Sequence, residues 1–337
     1  MGLITNKRGI VFTVLAIVLS AFFTVLFSAS IEKPIDYKLE VIETRIKVLN
    51  DYTDTFYDYA EQTGAIAGYS ALQGMLVEMN DRGRYYNITD EFVSNYTYCI
   101  RYGNITPSKA LTAMTNRSLT DYLNVIQNIA RYQLNINSKF NIQSIDVAQT
   151  TDAFEILVII NLSLNITDAY AYISDTRVVT SRVNIEGLLD PLYLMNDIYN
   201  QTINRTSIQK SGGEVGGNWS KEDLAQLYYN HEYRYFYDGV GFINRMKGNF
   251  SSGDSFGIES FVNHTNPGIL AITNDNQSMA DYQFWQRKNM SCTKGIVKII
   301  NYTIINSSGS PRDFQLDVNH MVRFNISGLD AIYTCTS

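Results

Sequence analysis

From Gly9 to Ile31 the chain carries no charged side chain, and Ile10–Phe27 (IVFTVLAIVLSAFFTVLF) is almost wholly apolar. A helix of about 20 such residues matches the roughly 30 Å hydrocarbon core of a bilayer. Lys7 and Arg8 precede the run, and Glu32 and Lys33 follow it. A basic flank is held inside, which sends everything past residue 32 outside. The expectation is a cytoplasmic basic leader at 1–8 and a transmembrane helix at 9–31. It carries with it a single-pass, cell-membrane localisation and an extracellular carboxy-terminal domain. A cleaved signal peptide stays open as an alternative, because Ser28-Ala29-Ser30 supplies small residues at the usual spacing.

Beyond this run, Ile35, Leu39, Ile42, Ile46 and Leu49 alternate steps of four and three, the spacing of an apolar seam on one helix. Phe56 and Ala60 continue it, and residues 65–79 are rich in helix formers. Pro34 fits a first turn or a kink. The spacing predicts a long amphipathic helix over 32–79 and self-association through its seam. A short basic leader ending in Lys/Arg-Gly, then an apolar helix that runs into an outer domain, resembles the archaeal type IV pilin-like surface proteins. The resemblance is carried by Asn6-Lys7-Arg8-Gly9, by Ile10 and by Pro34, and covers residues 1 to about 60. Thr13 and Val14 stand where many pilins have glutamate. What the resemblance implies is leader removal ahead of Ile10 and assembly into a surface filament.

Asparagine is abundant, at 31 residues, and sixteen of them head an N-x-Ser/Thr triplet. They are Asn87, Asn95, Asn104, Asn116, Asn161, Asn165, Asn200, Asn204, Asn218, Asn249, Asn263, Asn276, Asn289, Asn301, Asn306 and Asn325. With this content of Ser and Thr, chance gives about five, so the excess points to N-glycans as covalent partners. None of the sixteen precedes residue 80, so the first quarter of the chain is bare. In residues 154–164 the apolar side chains alternate, which places Asn161 and Asn165 on the opposite, outward face of a strand.

The remaining pattern reads as α+β: an extracellular antiparallel-sheet domain behind the two amino-terminal helices, with a division into two sheet units left open. Residues 80–209 form one unit, 210–217 (KSGGEVGG) a linker, and 218–337 a second unit. Residues 80–104 read as a polar surface loop. Thr106-Pro107 reads as a cap with proline at the first helical position. Ser118 with Asp121, and Ser220 with Asp223, read as capping boxes, the first opening a helix to about Leu134. Strands are expected near 138–149, 153–166 and 169–186 as a meander, and again near 256–263, 294–305 and 313–327; a further helix is expected near 279–286.

Net charge −6 leaves no basic footprint for nucleic acid. Three cysteines exclude a cystine framework and a four-cysteine zinc site. Cys292 and Cys335 can pair, closing a loop worth about 2–4 kcal/mol, with Cys99 left over; Cys99 with either of the others is the competing pairing. His231, His264 and His320 are far apart and show no H-x-x-x-H spacing, and the chain has neither a G-x-S-x-G elbow nor a phosphate loop. Nothing nominates catalytic, metal or cofactor-binding residues, and the chain reads as a non-enzyme. The densest aromatic stretch offers Tyr228, Tyr229, Tyr233, Tyr235 and Tyr237 as binding aromatics for a sugar or protein partner. The functional expectation is a membrane-rooted, N-glycosylated surface protein of structural or adhesive role. An anchored ligand-binding ectodomain is the alternative, and an extracellular hydrolase a third reading.

Overall fold

The computed structural model describes residues 18–21, 34–87, 89–208, 219–237, 239–250, 256–263, 278–285, 296–305, 311–317, 320, 324 and 331–333. A 49-residue helix, α1 (Pro34–Arg82), dominates the architecture. Pro34 is the first described residue of this helix, and a missing N–H is tolerated in a first turn. Its charged residues recur every few positions from Asp36 to Glu61. Among the described residues, no helix is long and apolar enough to cross a membrane. That finding corrects the expected fold class and the single-pass localisation: the fold is α+β, with one long polar-faced helix and antiparallel sheets. Of the expected span at 9–31 only residues 18–21 are described, as an exposed helical turn; the remainder, with the leader Lys7-Arg8, lies outside the described residues.

Against α1 packs a three-stranded antiparallel meander, β3 (Asn137–Gln149), β4 (Glu155–Thr167) and β5 (Tyr172–Asn184), with β4 in the centre. Six alternate residues of β4, from Ile156 to Ile166, are buried against the helix. They meet Leu49, Phe56, Ala60, Ala67, Ala71 and Met75 of α1 in the main core. Strand β3 keeps its apolar residues inward by a bulge. Ile142 pairs with Leu162 but Ser144 with Asn161, so the inward set passes from Phe140 and Ile142 to Ile145 and Val147. Close contact between helix and sheet rests on two glycines. A Cβ on Gly64 would stand 2.8 Å from Ile160 Cδ1 and against Ser181 Oγ, and one on Gly68 would stand 2.6 Å from Val183 Cγ2. Ser181 Oγ donates to the carbonyl of Glu61 at 2.6 Å, closing that seam.

Two expectations about the connection fail. Residues 80–104 are not a loop: they hold α2 (Thr89–Tyr102), whose Phe92, Tyr96, Cys99 and Ile100 are buried at helical spacing. Thr106-Pro107 opens no helix; β1 (Asn104–Thr106) and β2 (Lys109–Ala110) form a tight hairpin there. Helix α3 (Leu119–Leu134) begins at the Ser118/Asp121 capping box and ends at Asn135 in the left-handed conformation. After the sheet come α4 (Pro191–Leu194), α5 (Lys221–Asn230), capped by Ser220 and Asp223, β6 (Arg234–Phe236), α6 (Phe242–Lys247), β7 (Gly257–Glu259) and α7 (Asp281–Trp285). A second three-stranded sheet has the order β10 (Ala331–Tyr333), β8 (Ile296–Ile305), β9 (Pro311–Asp317). The expected linker at 210–217 lies outside the described residues. The main core nevertheless draws on both sides of it, since Tyr233, Phe242, Met246, Ile258 and Val262 join the residues of α1 and β4.

Candidate functional site

Two features stand out: the outward face of the meander, and a lattice of buried charges beneath its carboxy-terminal neighbours.

Asn161 and Asn165 lie on the face of β4 turned away from α1, between Ser144 and Lys139 on one flank and Val178 and Ser174 on the other. Ten of the sequon asparagines have described side chains. Asn87, Asn116, Asn200, Asn204 and Asn249 are exposed, while Asn95, Asn104, Asn161 and Asn165 are half-buried. Asn263 is the exception. It is 3% exposed and its Nδ2 donates to the carbonyl of Tyr228 at 3.3 Å, so the folded chain has no room for a sugar there. The side chains of Asn218, Asn276, Asn289, Asn301, Asn306 and Asn325 lie outside the described residues, as do Cys292 and Cys335. Cys99 is buried and free, and burial pushes its thiol up to about 12.

The buried lattice has two halves. In the first, Arg245 Nη1 bridges Asp190 Oδ2 at 2.7 Å and Asp281 Oδ2 at 2.8 Å. Asp190 also accepts from Tyr233 Oη at 2.8 Å, and its other oxygen caps α4 through the Leu192 N–H. Asp281 takes the hydroxyl of Ser260 at 2.9 Å, and Ser260 meets Tyr193 Oη at 3.0 Å. In the second half, Glu259 accepts from Arg234 Nε and from His320 Nε2, both at 2.8 Å. His320 Nδ1 faces Asp317 at 2.5 Å, and its ring stacks on Phe236 with centroids 4.8 Å apart. Every one of these charged side chains is at most 2% exposed.

Titration follows from this packing. Burial works against the His320 imidazolium, but Glu259 and Asp317 on its two nitrogens outweigh it and raise its pKa to about 9. Burial pushes Asp281 up to about 6 against the pull of Arg245. Burial likewise opposes the carboxylates of Glu259 and Asp317, yet His320 holds both below their ordinary range, with Arg234 adding to the effect at Glu259. Ser260 faces Asp281 rather than His320, so the hydroxyl and the imidazole are not arranged as nucleophile and base. Chemically the lattice is a set of buried ion pairs that ties residues 190–193 to the segments around 233–245, 259–260, 281 and 317–320. Only the Asp317/His320 spacing was open to a sequence reading; Tyr282 lies 38 and Glu259 61 residues from His320, and the remaining charged members are paired across 25 to 55 residues.

No family model matches the chain, and neither a curated protein nor a solved structure matches it.

The other nominated residues scatter. Tyr228 and Tyr233 are buried, Tyr235 is half-buried, and Tyr229 and Tyr237 are about half exposed, so the aromatic stretch presents no continuous platform. Tyr233 serves the charge lattice instead. On α1, Leu39 and Ile46 of the seam are exposed and Ile42 is intermediate, whereas Leu49 is fully buried in the chain's own core and is closed to a partner helix. The side chain of Ile35 lies outside the described residues. His231 caps α5 in the left-handed conformation, and burial lowers its pKa. Among the described residues no group of His, Cys, Asp and Glu could hold a metal ion.

Proposed function

We propose that this chain is a heavily N-glycosylated protein of structural or adhesive role, in which a helix-backed sheet holds sugars on its outer face. The observation that supports it is the position of the sequons. Asn161 and Asn165 alternate with the buried residues of the central strand, and the exposed ones sit in turns and connections around the same core. A rigid core beneath a sugar-bearing surface suits display rather than turnover. Intact-mass measurement and glycopeptide mapping of the natural protein test the reading. Glycans are expected at several of Asn87, Asn116, Asn200, Asn204 and Asn249, and none at Asn263. A mass equal to that of the bare polypeptide overturns it.

A second copy of the chain is the proposed partner for the exposed part of the α1 seam. Leu39 is 60% and Ile46 38% exposed on a helix that continues beyond the packed head, and apolar rows of this kind are costly to leave in water.

A further inference from the structure

One end of the outward sheet face opens into a cavity of about 510 Å³ between α3 and the β3–β4 pair. That volume lies within the roughly 300–1,000 Å³ typical of small-ligand sites. Its walls include Gln127, Asn128, Arg131, Asn137 and Lys139, and no carboxylate lines it. Asn165 and Thr167 line it too: they are the first and third residues of a single sequon, both on the outward side of β4.

The asparagine is already oriented. Its Oδ1 accepts from Ser174 Oγ at 2.7 Å and from Tyr172 Oη at 3.4 Å, both on β5. In a planar amide the nitrogen then lies on the side of the group opposite these two β5 hydroxyls, and the residue paired with Asn165 on β3 is Lys139. Among the described residues nothing accepts from that nitrogen. It is the atom to which an N-linked sugar is joined, so a glycan here starts inside the cavity rather than on open surface.

We propose that this cavity is the seat of the chain's own N-glycan at Asn165, and that the glycan carries an acidic sugar held by Arg131 and Lys139. The inference rests on the reading of the chain as an N-glycoprotein. Two cations and several amides, with no acid, form a lining that accepts hydroxyls and a carboxylate or sulfate together. With the first sugars seated, the glycan joins the end of α3 to the sheet and is held in one direction, unlike glycans at Asn87 and Asn200.

Mild periodate treatment of the folded natural protein, followed by glycopeptide mass spectrometry, reads occupancy, composition and exposure together. Asn165 is expected to be occupied by a glycan containing an acidic sugar, oxidised about tenfold more slowly than those at Asn87 and Asn200, a factor equivalent to ~1.4 kcal/mol. In the double variant Arg131→Glu, Lys139→Glu, the rate at Asn165 should rise to that of Asn87 with occupancy unchanged. A neutral glycan, equal rates in the unmodified protein, or protection that survives the double variant overturns the proposal. So does a bare Asn165 beside occupied Asn87 and Asn200, which leaves the glycoprotein reading standing. Bare asparagines at all sites overturn both.

Discussion

His320 shows how one buried side chain couples this fold to pH. Its two nitrogens point at Glu259 and Asp317, Tyr282 Oη approaches it at 3.3 Å, and Arg234 lies on the far side of Glu259. Because the folded pKa is about 9 against about 6.5 unfolded, the folded state binds the proton more tightly. This stabilisation is fully present below about pH 6.5 and is lost as the pH rises through about 9. Asp281 acts in the same direction over a lower window: its pKa of about 6 makes ionisation costly to the fold between about 4 and 6. Glu259 and Asp317 act oppositely, their contribution being lost as acid protonates them. Thermal unfolding from pH 6.5 to 9.5 is expected to show a falling midpoint in the natural protein and a nearly flat one in His320→Gln. Parallel slopes would show that His320 does not carry the effect. Truncation elsewhere in the lattice should be harsher. Arg245→Leu strands Asp190 and Asp281 without their cation, and a loss of about 3–5 kcal/mol in denaturant unfolding is expected; a loss below 1 kcal/mol would mean the lattice is dispensable.

At the scale of elements, the helix–sheet contact depends on what is missing from α1. Gly64 and Gly68 are one turn apart and let β5 approach until Ser181 reaches the Glu61 carbonyl. Gly64→Val forces Ile160 and Ser181 aside, and overpacking of this kind costs about 1–3 kcal/mol. Urea unfolding should register that loss, and an unchanged midpoint would show that the helix can retreat without penalty. The outer end of the same helix makes a different prediction. Leu39→Lys with Ile46→Lys should leave the folded secondary structure, read by far-UV circular dichroism, unchanged, since both side chains are solvent-exposed. Sedimentation velocity should shift from a dimer or larger species to monomer. If the natural protein already sediments as a monomer at high concentration, the seam has no second copy to meet.

Several elements are legible in the chain alone. The Ser118/Asp121 and Ser220/Asp223 boxes start helices because the two orphan N–H groups at each start find acceptors within three residues. The meander was readable because alternation is local. Helix α2 does not show in the sequence pattern because residues 80–104 are polar and carry three sequons, which mask the helical spacing of Phe92, Tyr96 and Ile100. Thr106-Pro107 misled because a cap followed by proline also suits a tight turn.

Across the whole molecule, the main core does not respect the break in composition at 210–217. Tyr233, Phe242, Met246 and Ile258 pack with α1 and the meander, and Arg245 reaches back to Asp190. A protease site inserted within 210–217 and cut in the folded protein should therefore yield two fragments that co-elute in size-exclusion chromatography and separate only in denaturant. Separation in native buffer would show that the two portions fold independently.

The linear chain by itself determined the long helix, the antiparallel meander, its inward and outward faces and the crowding of sequons past residue 80. Each of these is a periodicity or a short motif, set by contacts a few residues apart. Tertiary structure alone decided that Leu49 is core rather than partner surface, that Asn263 is closed to sugar, and that Asp190, Arg234, Arg245, Glu259, Asp281 and His320 form one lattice. Those outcomes depend on which distant groups must share burial. A charge taken out of water needs an opposite charge beside it, and only the folded chain supplies one from the far end of the sequence.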